Sequence, residues 1–241
     1  MLRTRCARVV AFWLALLCWT SPAWATPPSE TQDHDEVREP MVFDLVRGLG
    51  AKRGELETNV LLRYAIAEPQ LHWAPELEWV FADGMAVELE LPAVDRELEA
   101  VKLAGQFSLP RRHPGFRDGF QAIVEVPLAE HPTQLTGLYL AGVRFDRVSL
   151  LAMVGPRIDV ARSHALPLAS VVNFSAFVDV DPRTVVGVEL DAIMGSSAAL
   201  TAMPQLHFQI RPRVRVQGGA GLTWSAQHGA SVLFAIRLIL E

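Results

Sequence analysis

The chain has 241 residues, 50% of them hydrophobic, and a formal net charge of −5. Both cysteines, Cys6 and Cys18, lie close to the N-terminus, so the rest of the chain has no disulfide, catalytic thiolate or cysteine metal ligand. The negative charge argues against a general nucleic-acid binder, which needs a basic surface.

Residues 1–25 have the three-part pattern of a secretory signal peptide. Three arginines precede an apolar run over 9–18, and residues 23–25 read Ala-Trp-Ala. The run is shorter than the roughly 20 residues that a helix needs to span a bilayer, so a retained membrane anchor is the weaker alternative. We predict export and cleavage after Ala25, which leaves 19 basic and 27 acidic residues and a charge of −8.

Two short segments precede the patterned part of the chain. Residues 26–40 are polar, acidic and flanked by prolines, which predicts a disordered mature N-terminus. Residues 41–54 have apolar spacing that fits a short helix or a strand, and three glycines interrupt either one. This lead-in segment can pack inside or under the fold that follows, or run over its surface to the first strand. The pattern slightly favours the surface.

Apolar and polar residues alternate from residue 55 to residue 241, which is the period of β-strands. The pattern is clearest at the C-terminus, where it predicts three consecutive strands over 204–211, 213–224 and 231–241. Turn signals such as Ala82-Asp83-Gly84 separate the strands. The whole region predicts about twelve strands, within a range of 10 to 12, in one domain.

Three features favour a membrane barrel over a soluble sandwich, which also has one apolar face. The predicted strands approach the 9–11 residues of a tilted membrane strand, whereas soluble strands usually have about five or six. Charged residues recur opposite the aliphatic face, and aromatic residues lie near the ends of the apolar stripe. We predict an all-β, antiparallel up-and-down transmembrane β-barrel. The alternative is a soluble periplasmic barrel or sandwich that binds an apolar ligand.

If the apolar face meets lipid, the polar face lines a lumen. The predicted lumen-lining residues are Glu76, Glu78, Glu88, Glu90, Lys102, Glu125, Glu189, Asp191, His207, Arg213 and Arg215. The predicted aromatic girdle residues are Tyr64, Trp73, Trp79, Phe81 and Trp224. The first four glutamates predict an acidic patch, and the two arginines with the histidine predict a basic one. Two interpretations stay open: a charged path for a small solute, or ion-paired side chains that fill a non-conducting barrel.

The segments EPMVFDLVRGLGAKRGELETNVLLRY and WAPELEWVFADGMAVELELP, with the signal pattern and the alternating strands, resemble bacterial outer-membrane β-barrels. They are similar to a group of uncharacterised proteobacterial envelope proteins, related loosely to outer-membrane transporters linked to phenol meta-pathway degradation. The resemblance implies insertion into the lipid of a Gram-negative outer membrane by the barrel assembly machinery. It also implies a passive channel or transport component for a small solute, hydrophobic compounds included. Such barrels usually end in an aromatic residue, whereas this chain ends in Glu241.

No motif in the chain predicts catalysis. P-loop, dinucleotide, EF-hand and zinc motifs are missing from the sequence, and its histidines lack close metal-ligand spacing. Lipid-modifying barrel enzymes use a serine and a histidine at the membrane edge. The available ones, none in a G-x-S-x-G setting, are Ser149, Ser163, His164, Ser225 and His228. We predict no cofactor and no nucleic-acid partner, with a lipid-modifying enzyme as the second alternative.

Overall fold

In the computed structural model the alternating pattern folds into β-strands, the first of which begins at residue 56 and the last of which ends at residue 240. The structure describes residues 37–43, 45–160, 168–195 and 198–241, so the predicted signal peptide and residues 26–36 of the predicted tail lie outside it. The strands are β1 (Leu56–Ala65), β2 (Leu71–Ala82), β3 (Met85–Glu90), β4 (Ala93–Val94), β5 (Glu97–Leu98), β6 (Ala100–Ser108), β7 (Phe116–Pro127), β8 (Thr133–Phe145), β9 (Val148–Val160), β10 (Leu168–Asp181), β11 (Thr184–Met194), β12 (Ala199–Arg211), β13 (Val214–Ser225) and β14 (Gly229–Leu240). Within the described residues no helix is long and apolar enough to cross a membrane.

Twelve of these strands close into one antiparallel barrel. Each long strand pairs with the next long strand along the chain, and β4 and β5 form a small hairpin in the connection between β3 and β6. The last strand, β14, pairs with β1, so that Thr58 faces Leu240 and Ala65 faces Leu233. Closure bonds the strand edges to one another, which is the condition for a β-sheet in lipid. The prediction of a closed all-β barrel of about twelve strands is confirmed.

The outer face of the barrel is apolar. Large side chains such as Leu200, Leu222 and Ile236 are 50%, 63% and 53% exposed. The residues between them in sequence turn inward, and many of these are charged or polar and buried. An apolar outer face around a polar interior is the arrangement of outer-membrane barrels.

The two ends of the barrel differ in their connections. The terminal end carries the start of β1, the C-terminus and two-residue turns at 83–84, 146–147, 182–183 and 212–213, together with a longer connection over 109–115. The loop end carries the other connections, of which 66–70, 91–99, 128–132 and 226–228 are fully described.

The observed bounds of the three C-terminal strands lie within a few residues of the predicted ones, except at the start of β12. A small-residue loop is predicted over 195–202, whereas β12 begins at Ala199. The ladder extends this far because β13 runs to Ser225, which pairs with Ala199, and because the hydroxyls of Thr201 and Thr223 are 3.0 Å apart.

Residues 37–51, here called the interior segment, are largely buried although they form no strand. Val37, Met41, Leu45, Val46 and Leu49 are each at most 2% exposed. The sequence favours a surface path for the lead-in segment and assigns residues 37–40 to a disordered tail, and the structure differs on both points. The physical reason is the wall of the barrel, where buried apolar residues pack against the segment: Ile123, Leu138, Leu140, Leu151, Met153 and Val171.

Candidate functional site

Closure turns one face of each long strand toward the lumen. The predicted lumen-lining residues that are buried there are Glu76, Glu78, Glu88, Glu90, Lys102, Glu189 and His207. Glu125, Asp191 and Arg215 lie on inward-facing positions and are half-buried. The structure differs at Arg213, which lies in the 212–213 turn because β13 begins only at Val214.

The predicted girdle residues lie on the outer face at two levels. Trp79 and Phe81 are near the terminal end, and their ring centroids are 6.1 Å apart. Tyr64, Trp73 and Trp224 are near the loop end, where the Trp73 indole donates to the Asp95 carbonyl oxygen over 3.0 Å. Two levels of aromatic side chains are typical of a barrel in a bilayer, and contact of these residues with lipid stays a prediction.

The four glutamates of the predicted acidic patch lie together on β2 and β3, where Arg237 and the predicted lumen residue Lys102 pair with them. Arg237 on β14 donates to Glu76 over 2.6 Å and to Glu78 over 3.2 Å. Closure explains this contact, since β14 and β2 both pair with β1. Lys102 on β6 lies 3.6 Å from Glu88 and also pairs with Glu90.

The interior segment supplies a further cation to this acidic region. The Arg47 guanidinium pairs with Glu57, lies 2.9 Å from Glu55 and lies 3.9 Å from Glu78. Arg47 also exchanges backbone hydrogen bonds with the Gln106 side chain, whose amide donates to the Arg47 carbonyl over 2.6 Å. The acidic region is therefore an ion-pair network that ties the segment to the wall.

Two members of the predicted basic patch lie on paired strands, where His207 faces Gln217 and Arg215 faces Gln209. Arg215 pairs with Glu241 at the terminal end over 2.8 Å. His207 lies deeper, with its Nε2 2.7 Å from the Gln205 amide oxygen and its ring 5.2 Å from the Phe177 ring. Arg213 lies in the turn that joins these two strands, and a basic patch shared by the three residues stays a prediction.

Glu189 holds the interior segment at its deepest point. The backbone N–H groups of Met41, Val42 and Phe43 donate to its carboxylate over 3.0, 3.0 and 2.6 Å. The Gln205 amide donates to the same group over 3.0 Å. A buried carboxylate that accepts successive backbone N–H groups fixes both the path and the register of the segment.

Replacement of Glu189 by glutamine is expected to release the interior segment. The amide has one acceptor oxygen instead of two and loses the charge, and a hydrogen bond to a charged group contributes roughly 1.5–3 kcal/mol. Trypsin cleavage after Arg47 in the folded, detergent-solubilised protein should become at least about tenfold faster, since about 1.4 kcal/mol is a factor of ten. Glu97→Gln, on an exposed loop-end strand, is the control. Equal rates in both variants would contradict the anchoring role.

A second set of contacts holds the start of the segment. Arg38 donates to both carboxylate oxygens of Asp179, over 3.0 and 3.1 Å, and Arg144 pairs with the same carboxylate. Val37 packs over Gly142, where a Cβ atom would approach the valine side chain to 2.9 Å. A side chain at Gly142 would therefore displace the segment.

The half of the lumen nearer the loop end is more accessible. Inward-facing residues there, here called the vestibule, are half-buried or exposed: Arg63, Glu125, Arg157, Asp159, Asp191, Thr201 and Thr223. Arg157 donates to the Thr136 hydroxyl over 3.3 Å, and Asn173 donates to Asp191. The lumen is thus lined by mixed charges toward the loop end and occupied by the interior segment toward the terminal end.

Several residues of the site were missed from the sequence. Glu57, Asn59, Gln106 and Arg237 occupy polar positions of alternating strands, and nothing in that pattern distinguishes them from other polar positions. Arg47 lies outside the strands altogether. One feature of the sequence could have identified the segment as interior. It is a run of apolar residues beside an arginine, in a region too short to form a hydrophobic core alone.

The serines and histidines considered for catalysis do not assemble into a pair in the part of the chain that the structure describes. The Ser149 hydroxyl is buried and lies 3.4 Å from the Arg38 backbone N–H. The Ser225 hydroxyl accepts the His228 backbone N–H, and the His228 ring lies 2.6 Å from Glu68. Ser163 and His164 lie outside the described residues.

The fold is similar to those of several solved outer-membrane proteins. The KdgM porin aligns with a TM-score of 0.62 at 9% identity, over 77% of this chain and 98% of its own. The NanC porin aligns with a TM-score of 0.65 at 6% identity, over 76% and 99%. The COG4313 outer membrane channel from Pseudomonas putida F1 aligns with a TM-score of 0.64 at 10% identity, over 80% and 97%. No protein-family model and no curated protein matches the sequence. At these identities the similarity establishes the β-barrel fold alone.

Proposed function

We propose that the chain is an outer-membrane channel for a small solute. The observation that carries the proposal is a closed twelve-strand wall that is apolar outside and charged inside. Lipid accepts such a wall because the backbone groups bond within the barrel, and a polar interior suits passage of a solute. The similar structures named as porins and a channel support the same function by analogy of fold.

The proposal includes the path by which the chain reaches the membrane. A signal peptide over residues 1–25 directs export, cleavage follows Ala25, and the barrel assembly machinery inserts the strands into outer-membrane lipid. The relation to transporters linked to phenol meta-pathway degradation rests on the quoted segments around residues 39–92. It extends the range of small solutes to hydrophobic compounds.

We assign the terminal end to the periplasm. Outer-membrane barrels have short periplasmic turns and longer extracellular loops, and the two-residue turns gather at the terminal end. A solute from outside then meets the vestibule first and the interior segment second. In this arrangement passage requires the segment to move.

Cell fractionation followed by gel electrophoresis of boiled and unboiled samples tests the proposal. We expect recovery in the outer membrane, an unboiled band that migrates differently from the boiled one, and measurable conductance in a planar bilayer. A protein released by osmotic shock without detergent would overturn the proposal. It would favour the soluble periplasmic barrel that binds an apolar ligand.

A further inference from the structure

An open groove lies in the outer wall of the barrel. It crosses strands β2, β3 and β6 to β9, has a volume of about 690 Å³ and is lined largely by apolar atoms. Small residues form its floor, including Gly105 and Gly137, and aromatic side chains flank it, including Phe81, Phe107 and Phe120.

The groove begins at the terminal end of the barrel. Phe81 and Phe107 each precede the last residue of their strands, and Met85 is the first residue of β3. From there the groove reaches Gly137 near the middle of β8. If the terminal end faces the periplasm, as proposed above, the groove lies in the periplasmic leaflet.

A basic connection lies at the head of the groove. Residues 109–115 join β6 to β7, the two strands that carry Phe107 and Phe120, and the connection exposes Arg111 and Arg112. The Arg111 side chain also lies 3.4 Å from the His113 carbonyl oxygen. The nearby Asp118 carboxylate is buried and accepts the Tyr139 hydroxyl over 3.0 Å, so it is covered rather than presented at the surface.

The two ends of the barrel differ in net charge, and the terminal end, where the basic connection lies, is the more basic one. The described connections at the terminal end, with the residues that flank β1 and the C-terminus, carry seven basic and four acidic residues: Lys52, Arg53, Arg111, Arg112, Arg147, Arg183 and Arg213 against Glu55, Asp83, Asp146 and Glu241. The described connections at the loop end carry one basic and five acidic residues: Arg96 against Glu68, Asp95, Glu97, Glu99 and Glu130. An anionic headgroup is therefore attracted to the terminal end.

We propose that this groove binds an anionic phospholipid of the periplasmic leaflet. One acyl chain lies along the floor at Gly105 and Gly137, and the phosphate lies against Arg111 and Arg112. The apolar lining excludes a polar occupant, and the basic connection selects among lipids by headgroup charge. The proposal rests on the membrane location and orientation given above, but not on conductance.

A tryptophan reporter is already in place for the test. The Trp79 ring lies 6.1 Å from that of Phe81, which lines the groove. With Trp73 and Trp224 changed to phenylalanine, Trp79 is the remaining tryptophan of the chain after the predicted signal. The barrel is reconstituted in mixed phosphatidylglycerol and phosphatidylcholine vesicles in which one or the other lipid is dibrominated, and quenching of Trp79 is measured.

Brominated phosphatidylglycerol should bind beside Trp79 about tenfold more tightly than brominated phosphatidylcholine, given two arginines near the headgroup. Arg111→Gln with Arg112→Gln should bring this ratio of the two lipid affinities toward one. Arg183→Gln with Arg213→Gln, in other turns at the same end, should preserve the ratio.

Gly137→Leu should reduce quenching by both lipids, because a Cβ there meets no atom within 4 Å and its side chain would occupy the groove. Gly218→Leu, equally unobstructed on β13, is its control.

Three results would overturn the proposal. A ratio of the two lipid affinities near one in the wild-type protein would mean that the groove does not select lipids by headgroup. An equal loss of this preference in both double-arginine variants would mean that the whole basic end attracts anionic lipid and that the groove is not a specific site. Equal quenching in Gly137→Leu and Gly218→Leu would show that the groove holds no chain. Conductance is not read in this experiment, so failure of the channel proposal would leave its outcome unchanged.

Discussion

Removal of residues 37–51 is expected to raise the conductance of the barrel in a planar bilayer by at least about tenfold, because a filled lumen becomes a continuous aqueous path. The segment fills the terminal half of the lumen. It is held there by contacts with Glu189, with Asp179 and with the apolar wall around Leu140. Its loss also removes Arg47 while Glu57 and Glu78 remain, so the open pore should prefer cations.

Two controls make this result interpretable. Deletion of residues 26–36 alone keeps the interior segment and should leave conductance at the wild-type level. The band shift between boiled and unboiled samples reports whether the shortened chain still closes into a barrel, which matters because the deletion exposes part of the apolar wall. A folded, shifted band with wild-type conductance would contradict the gating role. The wall side chains alone would then close the path.

This experiment also separates the two interpretations that the sequence left open. Glu76, Glu78, Glu88 and Glu90 are paired in the structure, as the filled-barrel interpretation requires. The vestibule residues are accessible from the loop end, as the path interpretation requires. The two descriptions hold for different halves of one lumen, and the interior segment lies in the terminal half.

The strands and their faces could be predicted because both depend on neighbours in sequence. Alternation fixes which side chains share a face, and closure then decides that the polar face is interior. Thus Gln205, His207 and Gln217, all predicted on polar faces, are all buried in the lumen.

The contacts across the lumen could not be predicted because they join residues far apart in sequence. Met41 and its acceptor Glu189 are separated by 148 positions, and Arg237 and Glu76 by 161. Alternation specifies that a residue points inward but not which inward residue it meets. For this reason the alternation could not identify Arg237 as the partner of Glu76 and Glu78.

Replacement of Arg237 by alanine is expected to destabilise the barrel by about 3–5 kcal/mol, the loss typical when one partner of a buried ion pair is removed. The arginine is 3% exposed and donates to Glu76, to Glu78 and, over 3.0 Å, to the Asn59 amide oxygen. Without it, two carboxylates stay buried with one cation fewer. Denaturant unfolding of the folded protein in lipid vesicles, followed by tryptophan fluorescence, measures the loss.

Arg215→Ala is the matched control, because it removes an arginine from β13, the strand that pairs with β14. Arg215 pairs with Glu241 at the terminal end, and the two side chains are 25% and 34% exposed. Exposed pairs contribute about 0–1 kcal/mol, so the two alanine variants should differ by several-fold in their effect. Similar losses for both would mean that the Arg237 network adds little beyond a surface ion pair.

A third variant tests whether unbalanced buried charge causes the loss at this position. Arg237→Met combined with Glu76→Gln and Glu78→Gln removes the cation and both charges that it compensates. Replacing a whole buried ionic group by neutral side chains of similar volume is often neutral in stability, so the triple variant should recover most of the loss seen in Arg237→Ala. If it is as unstable as the single variant, interactions that methionine does not make, such as the hydrogen bond to the Asn59 amide oxygen, carry the contribution of Arg237, and the charge balance of the network does not.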